Sequence, residues 1–428
     1  MTLSGIPKPA TSAADVLEHI RPESDLIVQS ANGEPVTLLD AIEAAAPGLE
    51  KVTVHQGLPV HDRPYHAGAF GDRLHHVSYF LTPKLREYFE RGTVDLMPND
   101  LSGVPALVRA RARNPLLLLS VSPPDRHGYV SLGTDAAYGA ALLGDMPVFV
   151  EANRRMPRTS GRNQLHLSRV AGWVEADYPL VSPAPTAITD TDRAIAALVA
   201  ERIPDGATLQ IGIGAVPDAV AGLLAGHRDL GIHSELFADG LRRLVECGAA
   251  SGALKREGRF QAVTTFSFGS PELYAFLDDN RHVQFEPADQ TNDVRAIAVQ
   301  PKFCAVNATM QVDLLGQCAS ESLGSHYISS TGGQADFMRA AVYSEGGQSF
   351  IVTHSTAVNG TISRIQPTLS PGAVVTTHKN LVDKVVTEHG VAELRGRTIR
   401  ERALALIAIA APPFRDGLRE AARALAYL

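Results

Sequence analysis

The sequence predicts an α/β protein made of two similar domains with mostly parallel sheets. Three observations predict it. Short β-branched or leucine-rich runs alternate with amphipathic helical stretches from one end to the other. A proline-, serine- and threonine-rich break, YPLVSPAPTAITDT at Tyr178–Thr191, interrupts that alternation once. The two halves on either side of the break open alike. Parallel strands need crossover connections, so strand–helix alternation implies a mostly parallel sheet.

The predicted strands are Leu26–Gln29, Leu116–Val121, Val148–Glu151, Thr208–Ile213, Ala262–Phe266, Ser349–Thr353 and Val374–Thr377. The predicted helices are Thr37–Ala46, Asp192–Ile203, Ala215–Ala225, Leu236–Cys247 and Arg400–Ala411. The composition of the break resists both helix and central strand, which gives domains 1–183 and 184–428. Setting Gln29 on Gln210 places Ala31 on Gly212 and Gly33 on Gly214, with Pro35 and Pro217 one position out. Strand, small-residue loop, helix is the shared order, and duplication of one α/β unit is the reading.

At 428 residues with 45% hydrophobic and 20% charged residues, the chain suggests two large domains or three small ones, and either way it can bury a sizeable core. A formal charge of only −7 gives no global field that would draw nucleic acid or an anionic membrane. Cys247, Cys304 and Cys318 are odd in number and widely spaced. They fit buried small hydrophobes in a reducing cytosol better than a disulfide framework. Met1–Ser12 lacks the basic stretch and apolar run of a secretory signal. The longest apolar run, Ala403–Ala411, is too short for a bilayer. A soluble, cytoplasmic protein is expected.

The segment LQIGIGAVPDAV sets Gly212, Ile213, Gly214, Ala215 and Val216 between a buried strand and a helix. Glycines there permit a tight turn and close ligand approach, and Pro217 suits a first helical turn. Free amides at a helix start favour an anion or a developing oxyanion. A dinucleotide fingerprint wants a third glycine and an acidic residue about 20 positions on. Glu235 meets that offset, but Pro217 holds the third-glycine position, so a nucleotide-binding oxidoreductase ranks second.

DLGIHSELFADG places Glu235 just after Ser234, a suitable helix N-cap. An acidic residue in a first turn is explained by the helix dipole alone. The chemical alternative is a carboxylate nucleophile, which needs desolvation, alignment and nearby oxyanion donors. Gly332 and Gly333, followed by Gln334, form a second flexible element in SSTGGQADF, and Asn307 in NATMQ could hold a carboxylate. Ordinary turns explain both equally well. His55, His61, His66, His75 and His76 match no compact ligand spacing, so no metal is expected.

Together these segments resemble the acetyl-CoA hydrolase/transferase family, nearest in layout to 4-hydroxybutyrate CoA-transferases, over nearly the whole chain. The resemblance rests on VSPPDRHGYVSLG, EANRRMPRTSG and LHLS in the first half. In the second half it rests on GIGAVP, GIHSELFADG, NATMQVDLLGQ, STGGQADF and VVTEHGVAELRGRTIRERALALIAIA. It implies a duplicated CoA-transferase (NagB/RpiA-like) fold with the active site where the two domains meet. It also implies coenzyme A exchange between an acyl-CoA and a small carboxylic acid by ping-pong chemistry, through a glutamyl-CoA thioester on Glu235.

On this resemblance Gly212–Val216 would contact CoA and stabilise an oxyanion. Gly332, Gly333 and Gln334 would line the same cleft, and Asn307 would orient the acyl group. Lys379 and the Arg395/Arg397 region would meet the phosphates. No cofactor would be held permanently; CoA and acyl-CoA are substrates. A homodimer or larger homo-oligomer is implied. Acyl-CoA hydrolysis by the same glutamate is the near alternative, and a non-catalytic CoA-binding protein is the distant one. The chain departs from the family at Ser330, where a glycine is usual, and at Ala411-Pro412-Pro413, where the family has His-Pro-Asp.

Overall fold

A computed structural model describes residues 8–184 and 186–428. The first seven residues of the Met1–Ser12 stretch, and Pro185 inside the proline-rich break, lie outside the described residues. The chain divides into two compact units: residues 1–183 with 263–291, and residues 184–262 with 292–428. A continuous division at 183/184 does not anticipate the return of 263–291 to the first unit.

The main sheet of the first unit has seven strands: β1 (Asp25–Val28), β2 (Val52–Gly57), β3 (Leu74–Phe80), β4 (Val94–Leu96), β5 (Leu116–Val121), β6 (Val148–Asn153) and β7 (Gly172–Ala176). Their order is β7-β6-β5-β1-β2-β3-β4, and every pairing is parallel. β5 and β6 are buried at every residue, as interior parallel strands covered on both faces must be. Helix Val36–Ala45 packs Leu38, Leu39 and Ile42 onto Leu26, Val28, Val54 and Leu118.

The second unit holds β8 (Thr208–Ile211), β9 (Gly231–Ile232), β10 (Phe303–Ala308), β11 (Gln348–Val352), β12 (Lys384–Thr387) and β13 (Gly390–Glu393). Their order is β9-β8-β10-β11-β12-β13, parallel throughout except for the last pair. Helices Gln334–Tyr343 and Ile399–Ile409 share its core, with Phe337, Met338, Leu406 and Ile407 packed among Phe303, Ala305, Ile351 and Val385. Phe303 and Phe337 stack at 6.2 Å between ring centroids.

The expected α/β class with mostly parallel sheets is therefore the class observed. Several local expectations need correction. β8 ends at Ile211, and Ile213 is 66% exposed in the loop beyond it. Val374–Thr377 forms no strand. Its backbone makes a single bridge, Thr377 to Cys318, and the amide of Val374 donates to Ser322 Oγ, so a β-branched run here serves a loop. The helix expected from Leu236 starts at Asp239, after a short extended segment Leu236–Phe237. Cys304 and Cys318 are buried, but Cys247 is exposed, because it sits just past the last turn of that helix.

The histidines of the first unit have local partners. His55 lies 3.3 Å from Asp25, His61 3.1 Å from Glu34 and His75 3.0 Å from Asp95, while His66 and His76 pack edge-on inside the unit. Among the described residues, no group of three or more His, Cys, Asp or Glu side chains is placed to hold a metal, and no helix is long and apolar enough to cross a membrane.

Candidate active site

In the second unit the strand order reverses at β8: the chain moves from β8 to β9 on one side, then continues through β10, β11 and β12 on the other. In open parallel sheets ligands bind outside the carboxyl ends of the strands at such a switch point. The carboxyl ends here carry most of the residues singled out from sequence. β8 runs into Gly212–Val216, β9 runs into Ser234 and Glu235, and β10 carries Asn307 one residue before its end. β8 and β9 are hydrogen-bonded neighbours, and Ser234 Oγ donates to the Ile211 carbonyl at 3.3 Å. The glycine loop and Glu235 therefore leave the same edge of one sheet.

Glu235 does not occupy a first helical turn, and Ser234 is not an N-cap. Ser234 is fully buried with its hydroxyl turned back onto β8, and the helix starts four residues after Glu235. Its own helix dipole thus gives no account of this carboxylate. What surrounds it instead comes from two distant segments. Asn292 Nδ2 donates to Glu235 Oε2 at 2.8 Å. Gly333 presses against the same oxygen so closely that a Cβ added there would stand 1.8 Å from Oε2 and 2.4 Å from Asn292 Nδ2.

Gly333 is the N-cap of helix Gln334–Tyr343, the crossover from β10 to β11. A crossover helix begins at the carboxyl end of the strand it follows, which is why its first turn faces Glu235. Phe337, Met338, Ala340 and Ala341 lock that helix into the core. Burial, opposed by the Asn292 hydrogen bond, pushes the Glu235 carboxyl up to about 7. A carboxyl that titrates there, stripped of most water and held by the Asn292 amide, is a stronger nucleophile than a solvated one.

The glycine loop is built for its backbone. Gly214 has φ 120° and ψ 177°, a region open to glycine alone, and it caps helix Ala215–Leu223. Nothing but the Pro217 ring comes within 4 Å of a Cβ built there, so the conformation, not crowding, demands glycine. Beneath β9, the buried Lys255 donates to the carbonyls of Ile232 and Gln261 at 2.9 and 2.7 Å. It has no carboxylate among these partners, and burial pulls it down to about 7. It pins the strand that delivers Glu235.

The other expected residues divide. Asn307 is half-buried and pairs reciprocally with Gln210, Nδ2 to Oε1 at 2.9 Å and Oδ1 from Nε2 at 3.3 Å. Gln334 Nε2 donates to Thr377 Oγ1 at 3.0 Å, which joins the helix start to the loop carrying Lys379. Gly332 takes φ 58° in the turn before the N-cap. Arg395 is committed to Asp383 at 3.5 Å and to the Gly347 carbonyl at 3.0 Å, and Arg397 lies 3.5 Å from Glu401.

Two residues went unread in the sequence. Asn292 lies in a short connection between two helical turns, where asparagine is unremarkable. Glu321 accepts from Thr376 Oγ1 at 3.0 Å and Thr331 Oγ1 at 3.4 Å, and its carbonyl accepts from the amides of Ile328 and Ser329. It ties the approach to Gly332-Gly333 to the Thr376–Lys379 loop. Both act through contacts made far along the chain, which no local pattern encodes.

Comparison with known proteins finds relatives along most of the chain. Residues 7–189 match the acetyl-CoA hydrolase/transferase N-terminal domain and residues 269–422 match the C-terminal domain. Glu235 and the Gly212–Val216 loop fall between these stretches, inside the longer alignments to individual proteins. The chain is 42% identical to succinyl-CoA:cyclohexane-1-carboxylate CoA transferase of Geobacter metallireducens, over 91% of this chain and 90% of that protein. It is 38% identical to 4-hydroxybutyrate coenzyme A transferase of Clostridium kluyveri, over 95% of each. The crystal structure of 4-hydroxybutyrate CoA-transferase from Porphyromonas gingivalis superposes with a TM-score of 0.80 at 34% identity, covering 97% of both chains.

Proposed function

The chain belongs to the acetyl-CoA hydrolase/transferase family, and from that premise we propose that it transfers coenzyme A from an acyl-CoA to a small carboxylic acid with Glu235 as the covalent nucleophile. The observation that carries this reading is the setting of Glu235. Its carboxyl is desolvated, held by Asn292, and faced by a glycine whose missing side chain leaves room at the reacting group.

The chemistry proceeds in two covalent halves. The Glu235 carboxylate adds to the acyl-CoA carbonyl carbon, CoA thiolate leaves, and an acyl–glutamyl anhydride remains. The thiolate then adds to the glutamyl carbon, which frees the first acid and leaves a glutamyl-CoA thioester. A second carboxylate reverses the sequence. Splitting one exchange into two half-reactions lets both acids use one small site and gives ping-pong kinetics. Backbone amides of Gly212–Val216 supply the oxyanion donors for the acyl carbonyl, a role suited to a glycine turn that opens a helix. Binding energy from the remote nucleotide and pantetheine of CoA serves the reacting centre.

The deciding experiment is mass spectrometry of the protein incubated with acyl-CoA and then treated with borohydride. A single reducible adduct is expected on Glu235, and none on Glu235→Gln. Turnover without an adduct on this residue would remove the nucleophile from the mechanism. The same incubation without an acceptor acid tests hydrolysis, since CoA release at an undiminished rate would make water the acceptor.

A further inference from the structure

Two arginines of the second unit end on acids: Arg395 meets Asp383, and Arg242 meets Asp239 and Glu246. Arg364 does not. It is half-buried, and among the described residues its side chain makes one long hydrogen bond, from Nη1 to the Thr309 carbonyl at 3.5 Å. Its Nε is buried without a partner. Among the described residues no carboxylate pairs with it, and burial pulls the guanidinium down from its ordinary range. Withdrawing a cation from water costs free energy that a nearby anion offsets. No acid of this unit fills that role at Arg364.

The backbone beneath it is fixed. The Arg364 amide donates to the Ser355 carbonyl and its carbonyl accepts from the Val312 amide, both at 2.9 Å. Its neighbours Ser363 and Ile365 are buried, and Ile365 pairs in parallel with Val312. Ser355 lies three residues beyond the end of β11, and Thr309 one residue beyond the end of β10. The guanidinium therefore sits at the carboxyl edge of the sheet, the edge from which Glu235 leaves. β9, β8 and β10 are successive neighbours. With strands about 4.8 Å apart, the strand that delivers Glu235 and the strand that leads to Thr309 stand about 10 Å from each other.

We infer that Arg364 binds a substrate oxyanion remote from the reacting carbon, either the second carboxylate of a dicarboxylic acid or a phosphate of coenzyme A. The inference rests on the reading of this site as one for CoA transfer and deepens it by assigning an anchor for a group that does not react. The separation of the strands keeps Arg364 away from the carboxyl that reacts at Glu235. A guanidinium suits either oxyanion, because its planar fork presents parallel N–H donors to two oxygens. The bound oxyanion supplies the countercharge and the acceptors that the side chain lacks.

Ping-pong kinetics separate the two sources, because acyl-CoA and the acceptor acid enter in different half-reactions. Wild type, Arg364→Gln and Arg364→Lys are compared with acetyl-CoA as donor and with acetate or succinate as acceptor. A phosphate at Arg364 raises KM for acetyl-CoA about 10- to 100-fold in Arg364→Gln and leaves both acids unchanged. A second carboxylate raises KM for succinate by that factor and leaves acetate and acetyl-CoA unchanged. In either case Arg364→Lys, which keeps the charge without the fork, loses less. An acid that is not turned over is read by its inhibition constant against acetate. Thermal melts show which variants are folded, and one folded variant suffices. Any other pattern in a folded variant overturns the inference, whether three unchanged constants or a common shift in all three, as a distorted site gives. If wild type transfers no CoA, the reading of the site fails separately. Calorimetric titration of CoA and of succinate onto wild type and Arg364→Gln then still decides the anion site.

Discussion

In the proposed mechanism Glu235 attacks only when ionised, and burial pushes its carboxyl up to about 7, above an ordinary glutamate near 4.5. The kcat/KM for acyl-CoA should therefore fall about tenfold per pH unit below pH 7, where an unperturbed carboxyl would show no limb until pH 5. A pH profile checks this, and a flat rate from pH 5 to 8 would contradict it. Linkage gives the accompanying sign for stability. The folded state binds this proton more tightly than the unfolded state, so the ionised group costs stability as pH rises from 4.5 to 7. Glu235→Gln should match wild type at pH 4 and exceed it above pH 7, by as much as about 3 kcal/mol. At this scale the sequence was half legible. The resemblance pointed to Glu235, but the local reasoning that put it on a helix dipole was wrong. The residues that condition it, Asn292 and Gly333, lie 57 and 98 positions away in the chain, and such distances leave no trace in a local pattern.

The helix Gln334–Tyr343 is the element that shapes the site, and its N-cap makes a sharp test. Gly333 has φ −101° and ψ 5°, which alanine adopts without strain, so the backbone does not require glycine there. Space does, since the added methyl would stand 1.8 Å from Glu235 Oε2. Gly333→Ala should fold and melt close to wild type while losing about a hundredfold in kcat, the usual cost of displacing a reacting group by about 1 Å. Melting curves beside steady-state rates decide it, and full activity would mean that this helix start does not confine the carboxylate. Gly214 is the opposite case, a glycine demanded by φ 120° in nearly open space. From sequence the two glycine elements looked equivalent, each a plausible turn. Strand interiors such as Leu116–Val121 were legible because burial on both faces writes a continuous apolar run. Strand ends and short loops were not: Ile213 is apolar yet exposed, and Val374–Thr377 is β-branched yet a loop.

At the scale of the whole molecule, two mostly parallel sheets were legible because alternating strands and helices leave few other arrangements. The assignment of residues 263–291 was not, because it depends on pairings made more than a hundred residues back. Within the first unit, Gln284 and Phe285 pair in parallel with Ser160 and Gly161, and Phe285 is fully buried. The amide of Ala136 donates to the Thr265 carbonyl at 2.8 Å, and Asn32 Nδ2 donates to the Tyr274 hydroxyl at 2.9 Å. A cut at 183/184 takes these partners away from residues 1–183. It also leaves residues 184–428 carrying a segment whose apolar side chains, Phe285 and Leu273 among them, have lost their cover. Burying one such side chain is worth about 1.5–3 kcal/mol, so exposing several consumes most of a domain's net stability. Fragments 1–183 and 184–428 should therefore be poorly soluble or melt without cooperativity when produced alone, and should recover a cooperative transition and CoA-transferase activity when produced together. Circular dichroism melts and gel filtration of each fragment and of the mixture make the comparison. Two fragments that each melt cooperatively at the temperature of the intact chain would show that residues 263–291 are dispensable to the first unit.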